Sequence, residues 1–323
     1  MKPGILGVAM ACALIGILGA SAVGAQDYPS REIHMISGFA PGSGADIMTR
    51  YFADKLQAVS GKPVVVENKV GAGGNLAHTY VAKSKPDGYT IYPVGGSALA
   101  SSVHLFKSPP VDPLKDFEPV GTLLKQGWFV AVDARSPFKT LPELTAYLKT
   151  KGGKGSYATS TATGTVMGEL YKSMAGLETV QVNYRTMPDA LNDLLSGTID
   201  FLASDAPFTM AQSRAGKVRA LATSTPQRMQ SVPDVPTFAE GGVKGVELTV
   251  WWLTELPAGT PKPIAGKIGA WMNEILAMED TRKFLASIGT DVYVSSPEEA
   301  KAFLAQEIKT WADYVKLARI EPQ

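Results

Sequence analysis

Beyond residue 25 the chain has no cysteine; its single one is Cys12. That excludes a disulfide framework, a thiol nucleophile and a thiolate metal site from the rest of the sequence. Histidine is nearly as scarce, with only His34, His78 and His104. None is spaced with a second His, Asp or Glu as a metal site requires, and neither H-E-x-x-H nor G-x-S-x-G occurs. No metal, no cofactor and no catalytic residue is therefore expected. An excess of one charge is missing too: 31 Lys and Arg face 30 Asp and Glu, for a formal net charge of +1. Without a basic stripe, nucleic acid is not an expected partner.

Long apolar runs are absent except at the N-terminus. Lys2 precedes "PGILGVAMACALIGILGASAVGA", and Val23 and Ala25 fit the −3 and −1 positions of a signal-peptidase site. Residues 1–25 are read as a cleaved signal peptide, with Gln26 as the new terminus and the periplasm as destination. A retained anchor is the alternative, but the run is rich in Gly and Ala and ends in a cleavage-like site. A lipoprotein box at Cys12 is disfavoured by the Ala9-Met10-Ala11 that precedes it. Removal of this segment takes one Lys and leaves 30 basic and 30 acidic residues.

What the sequence does have is 323 residues, 45% of them hydrophobic, enough for two domains. After Tyr28 strand and helix patterns alternate. "EIHMISGF" reads as a strand, and "ADIMTRYFADKLQAV" sets Met48, Phe52, Leu56 and Val59 on one helical face. "KPVVVEN", "NLAHTYVAKS" and "YTIYPV" continue as strand, helix, strand. "KSPPVDPLKDFEPV" reads as an irregular crossing segment. A second unit then runs from "GWFVAVDA" to "VRALATS", followed by the strand "VELTVWWLTELPAG" and three terminal helices. Such alternation argues for two α/β lobes, each a doubly wound, mainly parallel sheet flanked by helices, with a cleft between them.

Four strand-to-helix turns are rich in small residues: "PGSGAD" (41–46), "GAGGN" (71–75), "GGSAL" (95–99) and "TSTATGT" (159–165). A helix N-terminus carries free N–H groups and partial positive charge, so such turns suit an anion. Glycine allows close approach to the backbone. Ser43 and Asp46 also form a Ser-x-x-Asp capping pattern, which makes Asp46 a cap rather than a ligand contact. A dinucleotide fingerprint is rejected because Ile47 stands where "GSGADI" needs its third glycine. Asp205, at a strand end, is read as a ligand contact or helix cap. Alternation in "TVWWL" would bury one of Trp251 and Trp252 and turn the other toward a cleft, although packing explains both. Arg185 is either a solvated side chain or an anion partner.

Several pieces of this chain carry a family resemblance: "YPSREI", "FAPGSGADIMTRYFADKL", "KPVVVENKVGAGGNLAHTYVAKSKPDGYT", "VDPLKDFEPVG", "YRTMPDALNDLLSGTIDF", "VPDVPTFAE" and "LPAGTPKPI". They occur in order, nearly end to end, and resemble the Bug/TctC-type solute-binding proteins of tripartite tricarboxylate transporters. The resemblance implies a two-lobed, type II periplasmic binding fold that closes like a Venus flytrap. It implies lobe 1 from residues 26–125 and 246–323, lobe 2 from 126–245, and hinges near 124–128 and 222–250. It also implies a small organic carboxylate, aliphatic or aromatic, held mainly by backbone amides. The ligand-binding residues expected on this basis are Phe39, Gly42, Ser43, Gly44, Ala45, Gly73, Gly74, Asn75, Ser97, Ser160, Thr161, Ala162, Thr163 and Asp205. The expected partners are the subunits of a tripartite tricarboxylate-type permease, and the expected state is a monomer. The sequence departs from the family pattern at "APGSGAD", "STATGTVMGEL" and "YRTM", so the side of the pocket near 158–163 and 184–187 should be bulkier or less polar. A sensor feeding a signalling receptor and an exported enzyme acting on carboxylates are the alternatives. The lack of a coherent acid, base and nucleophile set argues against the enzyme.

Overall fold

A computed structural model describes residues 28–317 and 320–322. The expected signal peptide lies outside the described residues. In chain order the elements begin with strand β1 (Ile33–Ser37), helix α1 (Gly44–Ser60), β2 (Val64–Asn68), α2 (Asn75–Ala82), β3 (Thr90–Gly95) and α3 (Gly96–Leu105). The long strand β4 (Phe117–Asp133) follows, then α4 (Leu141–Lys151), β5 (Ser156–Thr159), α5 (Ala162–Ala175), β6 (Val180–Asn183), α6 (Met187–Leu195), β7 (Phe201–Asp205), α7 (Ala206–Arg214) and β8 (Val218–Thr223). The chain returns through β9 (Thr249–Pro257), α8 (Lys262–Ala277), α9 (Glu279–Ser287), β10 (Asp291–Val292) and α10 (Pro297–Leu317).

Local chemistry sets these boundaries. Ser43, extended at φ −71° and ψ 162°, caps α1 by accepting from the Asp46 N–H, and Gly61 ends it in the left-handed region at φ 68°. Between them Met48, Phe52 and Leu56, four residues apart, are fully buried. Thr140 and Glu143 close a capping box at the start of α4.

The sheet runs β2-β1-β3-β9-β4-β7-β5-β6, with β8 and β10 also paired to β4. At each end three strands are parallel: β2, β1 and β3 in one half, β7, β5 and β6 in the other. The two long central strands run antiparallel to their neighbours. β4 is the joint. It pairs with β9 as far as Gly127 opposite Thr249, then with β7 from Trp128 opposite Asp205 and with β8 from Phe129 opposite Thr223. Irregular pairing next to Pro119 and Gly121 explains why residues 117–120, the start of β4, read as part of a crossing segment. The returning chain crosses at the same level, where the Ser224 N–H donates to the Trp128 carbonyl and the Leu248 N–H to the Ser224 carbonyl. The result is a two-lobed α/β protein whose two parallel sheets share an antiparallel seam. Across the gap α1 meets α7 and α3 meets α5.

Candidate functional site

The expected turns converge between the lobes on an inner chamber of about 50 Å³ that opens into a cleft of about 590 Å³. Gly73, Ala98, Ser160, Thr161 and Ala162 line both.

The first turn is built around Asp46. Its carboxylate accepts from the Gly42 N–H at 2.9 Å, from Arg50 Nε at 2.9 Å and from Asn68 Nδ2 at 2.8 Å. Burial alone would push this carboxyl up, but those donors hold it below the usual carboxylate range. Asp46 therefore shapes the loop as a cap. Of the expected residues here, Phe39, Ser43 and Ala45 line the inner chamber. The Gly42 amide is turned inward to Asp46 and Gly42 is not in the lining. Gly44 is not in the lining either; it faces the other lobe, where a Cβ built on it would fall 2.2 Å from Asp205 Oδ2.

In the second turn Gly73 (φ 64°) and Gly74 (φ 104°) adopt backbone that other residues rarely take. Gly73 lines both cavities and Asn75 lines the outer one. Gly74 packs behind, against Phe39 and His78. His78 Nδ1 pairs with Asn75 Oδ1 at 3.1 Å, and burial lowers the His78 pKa to about 4, so the ring stays neutral. Ser97 does not line either cavity. Its hydroxyl donates to Glu307 at 3.0 Å, so α10 occupies the start of α3 with a carboxyl of its own.

From the second lobe come Ser160, Thr161, Ala162 and Thr163, all lining the inner chamber at the start of α5. Thr161 caps that helix by accepting from the Gly164 N–H at 3.1 Å. Asp205 lines the chamber and caps α7, where the Phe208 N–H donates to its Oδ1 at 2.9 Å. Burial raises its carboxyl to about 6, against the opposing pull of that N–H.

The remaining wall is mainly apolar, with Val94, Ala98, Trp128, Met187, Val250 and Trp252 beside Tyr92 and Gln126. No Lys or Arg lines the inner chamber, so an anion there would be met by amides, hydroxyls and helix termini. Gln126, Trp128, Val250 and Trp252 come from the central strands and were not among the expected site residues. For Trp252 a signal existed: alternation in β9 turns it to the chamber, while Trp251 packs on Phe303 with ring centroids 5.0 Å apart. Gln126 and Trp128 gave none, because their place depends on β4 changing partners between Gly127 and Trp128. The side near 184–187 is mixed. Met187 reaches the inner chamber, whereas Tyr184 and Arg185 line the outer cleft with Glu169, Gln181 and Asn183. Among the described residues no three His, Cys, Asp or Glu are grouped to hold a metal, and no helix is long and apolar enough to cross a membrane.

Comparison with known proteins locates the chain among relatives. Residues 48–319 match the family described as Tripartite tricarboxylate transporter family receptor. Protein BugT of Bordetella pertussis is 32% identical over 313 residues, covering 94% of this chain and 96% of that one. A protein of R. palustris solved with adipate superposes with a TM-score of 0.87 at 29% identity, covering 92% of this chain and 100% of the other. MatC from Rhodopseudomonas palustris, solved with bound malate, gives 0.81 at 28% identity, over 89% of this chain and 100% of that one.

Proposed function

Because the chain belongs to the tripartite tricarboxylate transporter family of receptors, we propose that it is a periplasmic solute-binding protein that captures a small organic carboxylate between its lobes and delivers it to a membrane permease. The observation that carries this reading is the chamber itself. The loop around 41–46, the second glycine turn and the start of α5 meet there from both lobes, with no basic side chain in the lining. Such a site suits a carboxylate held by neutral donors. Relatives solved with adipate and malate support the same chemical class.

The residues we assign to the ligand are Phe39, Ser43, Ala45, Gly73, Ser160, Thr161, Ala162, Thr163 and Asp205, with Asn75 at the outer cleft. Gly42, Gly44, Gly74 and Ser97 support the loops instead. Lobe 1 comprises 26–125 and 246–323 and lobe 2 comprises 126–245, hinged where β4 changes partners and where the chain returns at Ser224 and Leu248. Ligand bridges the lobes and favours the closed form, which the permease reads; this requires tighter binding to the closed than to the open state. The function is binding without turnover, by a monomer.

A thermal-shift screen of aliphatic and aromatic carboxylates tests this reading. A ligand at a hundred times its dissociation constant should stabilise the protein by about 2.7 kcal/mol. A panel with no shift overturns the carboxylate assignment, and conversion of a bound acid to product overturns binding as the whole function.

A further inference from the structure

The floor of the inner chamber carries hydrogen-bonding atoms that the protein leaves unpaired. Gln126 and Trp128 come from β4, and Trp252 comes from β9 beside it. Gln126 is 2% exposed, and Trp128 and Trp252 are 5% exposed. Gln126 Oε1, Trp128 Nε1 and Trp252 Nε1 have no hydrogen-bond partner. Burying such a group unpaired costs free energy, and folded proteins leave few in that state. Phenylalanine at 128 and 252 would fill much the same space without that cost. With Tyr92 Oη of β3, also buried, unpaired and in the lining, four such atoms on three adjacent strands under one chamber point to a group that arrives with the ligand.

The kind of group follows from what each atom does. An indole N–H only donates, whereas a side-chain amide oxygen only accepts. Trp128 also stands opposite Asp205 in the β4–β7 register, and Asp205 adds a carboxylate to the same chamber. A hydroxyl is the smallest group that accepts from an indole and donates to an amide or carboxylate oxygen. An oxo group accepts without donating, an ammonium donates without accepting, and a methylene does neither.

We infer that Gln126, Trp128 and Trp252 form a polar subsite on the hinge strands that recognises a hydroxyl carried by the carboxylate ligand. This rests on the carboxylate reading above and adds the feature that separates one acid from another. A site built to hydrogen-bond a hydroxyl discriminates strongly against the analogue that lacks it, because its own polar groups are then left bare.

Calorimetry on the full mature chain tests the subsite with matched acids: lactate and propionate, malate and succinate, mandelate and phenylacetate. Pyruvate and alanine serve as the oxo and amino members of the first set. At least one hydroxy acid should bind, and bind about thirtyfold or more tighter than its deoxy partner. Trp128→Phe and Trp252→Phe should each weaken that hydroxy acid about tenfold or more while leaving the deoxy acid within about twofold. In the unmodified protein the two indole N–H resonances should move on titration with the hydroxy acid, a readout that does not depend on the variants folding. Equal affinity across each pair overturns the subsite and leaves the carboxylate reading standing. So does equal weakening of both members by the Phe variants, or tighter binding of the oxo or amino member. Failure of every acid to bind overturns the carboxylate reading, and the subsite with it.

Discussion

Glu307 is buried under the start of α3, where the Ser97 hydroxyl donates to it and the Trp311 indole also lies within reach. Burial raises its carboxyl to about 7 against the opposing Ser97 bond. A carboxyl raised in the folded state favours folding most at pH values where both states keep the proton. Stability then falls as pH rises from the unfolded value near 4.5 through about 7. The size of that loss is about 3 kcal/mol for a shift of this order. Glu307→Gln should flatten that part of the stability–pH curve, checked by chemical denaturation between pH 4 and 8. An unchanged slope in the variant would show that Glu307 titrates normally. Ser97 was expected at the ligand because the family resemblance implied it. Its partner lies 210 residues away, a pairing that no local pattern announces. By contrast Asp46 was legible as a cap from Ser-x-x-Asp alone, since both members of the pair lie within one turn.

At the scale of elements, α1 and α7 meet across the gap between the lobes. Gly44 opens α1 and a Cβ there would fall 2.2 Å from Asp205 Oδ2. Gly44 is not among the positive-φ glycines, so alanine fits its backbone and Gly44→Ala should leave the stability of the free, open protein little changed. It should instead hold the lobes apart and weaken ligand about tenfold or more, or ~1.4 kcal/mol. Calorimetry and thermal melts on the one variant separate the two effects. A variant that binds normally would mean that the lobes close without the contact between Gly44 and Asp205.

Most elements could be read from period and punctuation, α1 above all, because its buried residues recur every four positions between a Ser cap and a Gly stop. Two were harder. α3, "GSALASSVHL", was legible only at its opening "GGSAL" turn, because beyond it small, polar and apolar residues mix without a clear stripe; one side packs on α10. The first half of β4 contains Pro119 and Gly121, which argue against a central strand; its pairing with β9 overrides them. The chamber floor was hidden for the same reason, since Gln126 and Trp128 face the chamber only once β4 spans both lobes.

At the scale of the whole molecule, the two lobes are joined by a narrow seam of β4 and β9 and meet again around the chamber. Bending at Gly127–Trp128 and Ser224–Leu248 would open the cleft without breaking either parallel sheet. Small-angle scattering should therefore show a smaller radius of gyration when a binding acid is added. No change on saturation would contradict ligand-driven closure.

The central claim, that amides and hydroxyls from both lobes hold a carboxylate without turning it over, is met most directly by one pair of titrations. The tightest-binding acid from the screen and its primary amide are titrated into the same preparation, and the recovered acid is identified by mass spectrometry. The amide keeps the shape of the acid and removes its charge. The acid should bind one to one and be recovered unchanged, with the amide about a hundredfold weaker, or ~2.7 kcal/mol. Equal affinity for acid and amide, or recovery of a product in place of the acid, would contradict it.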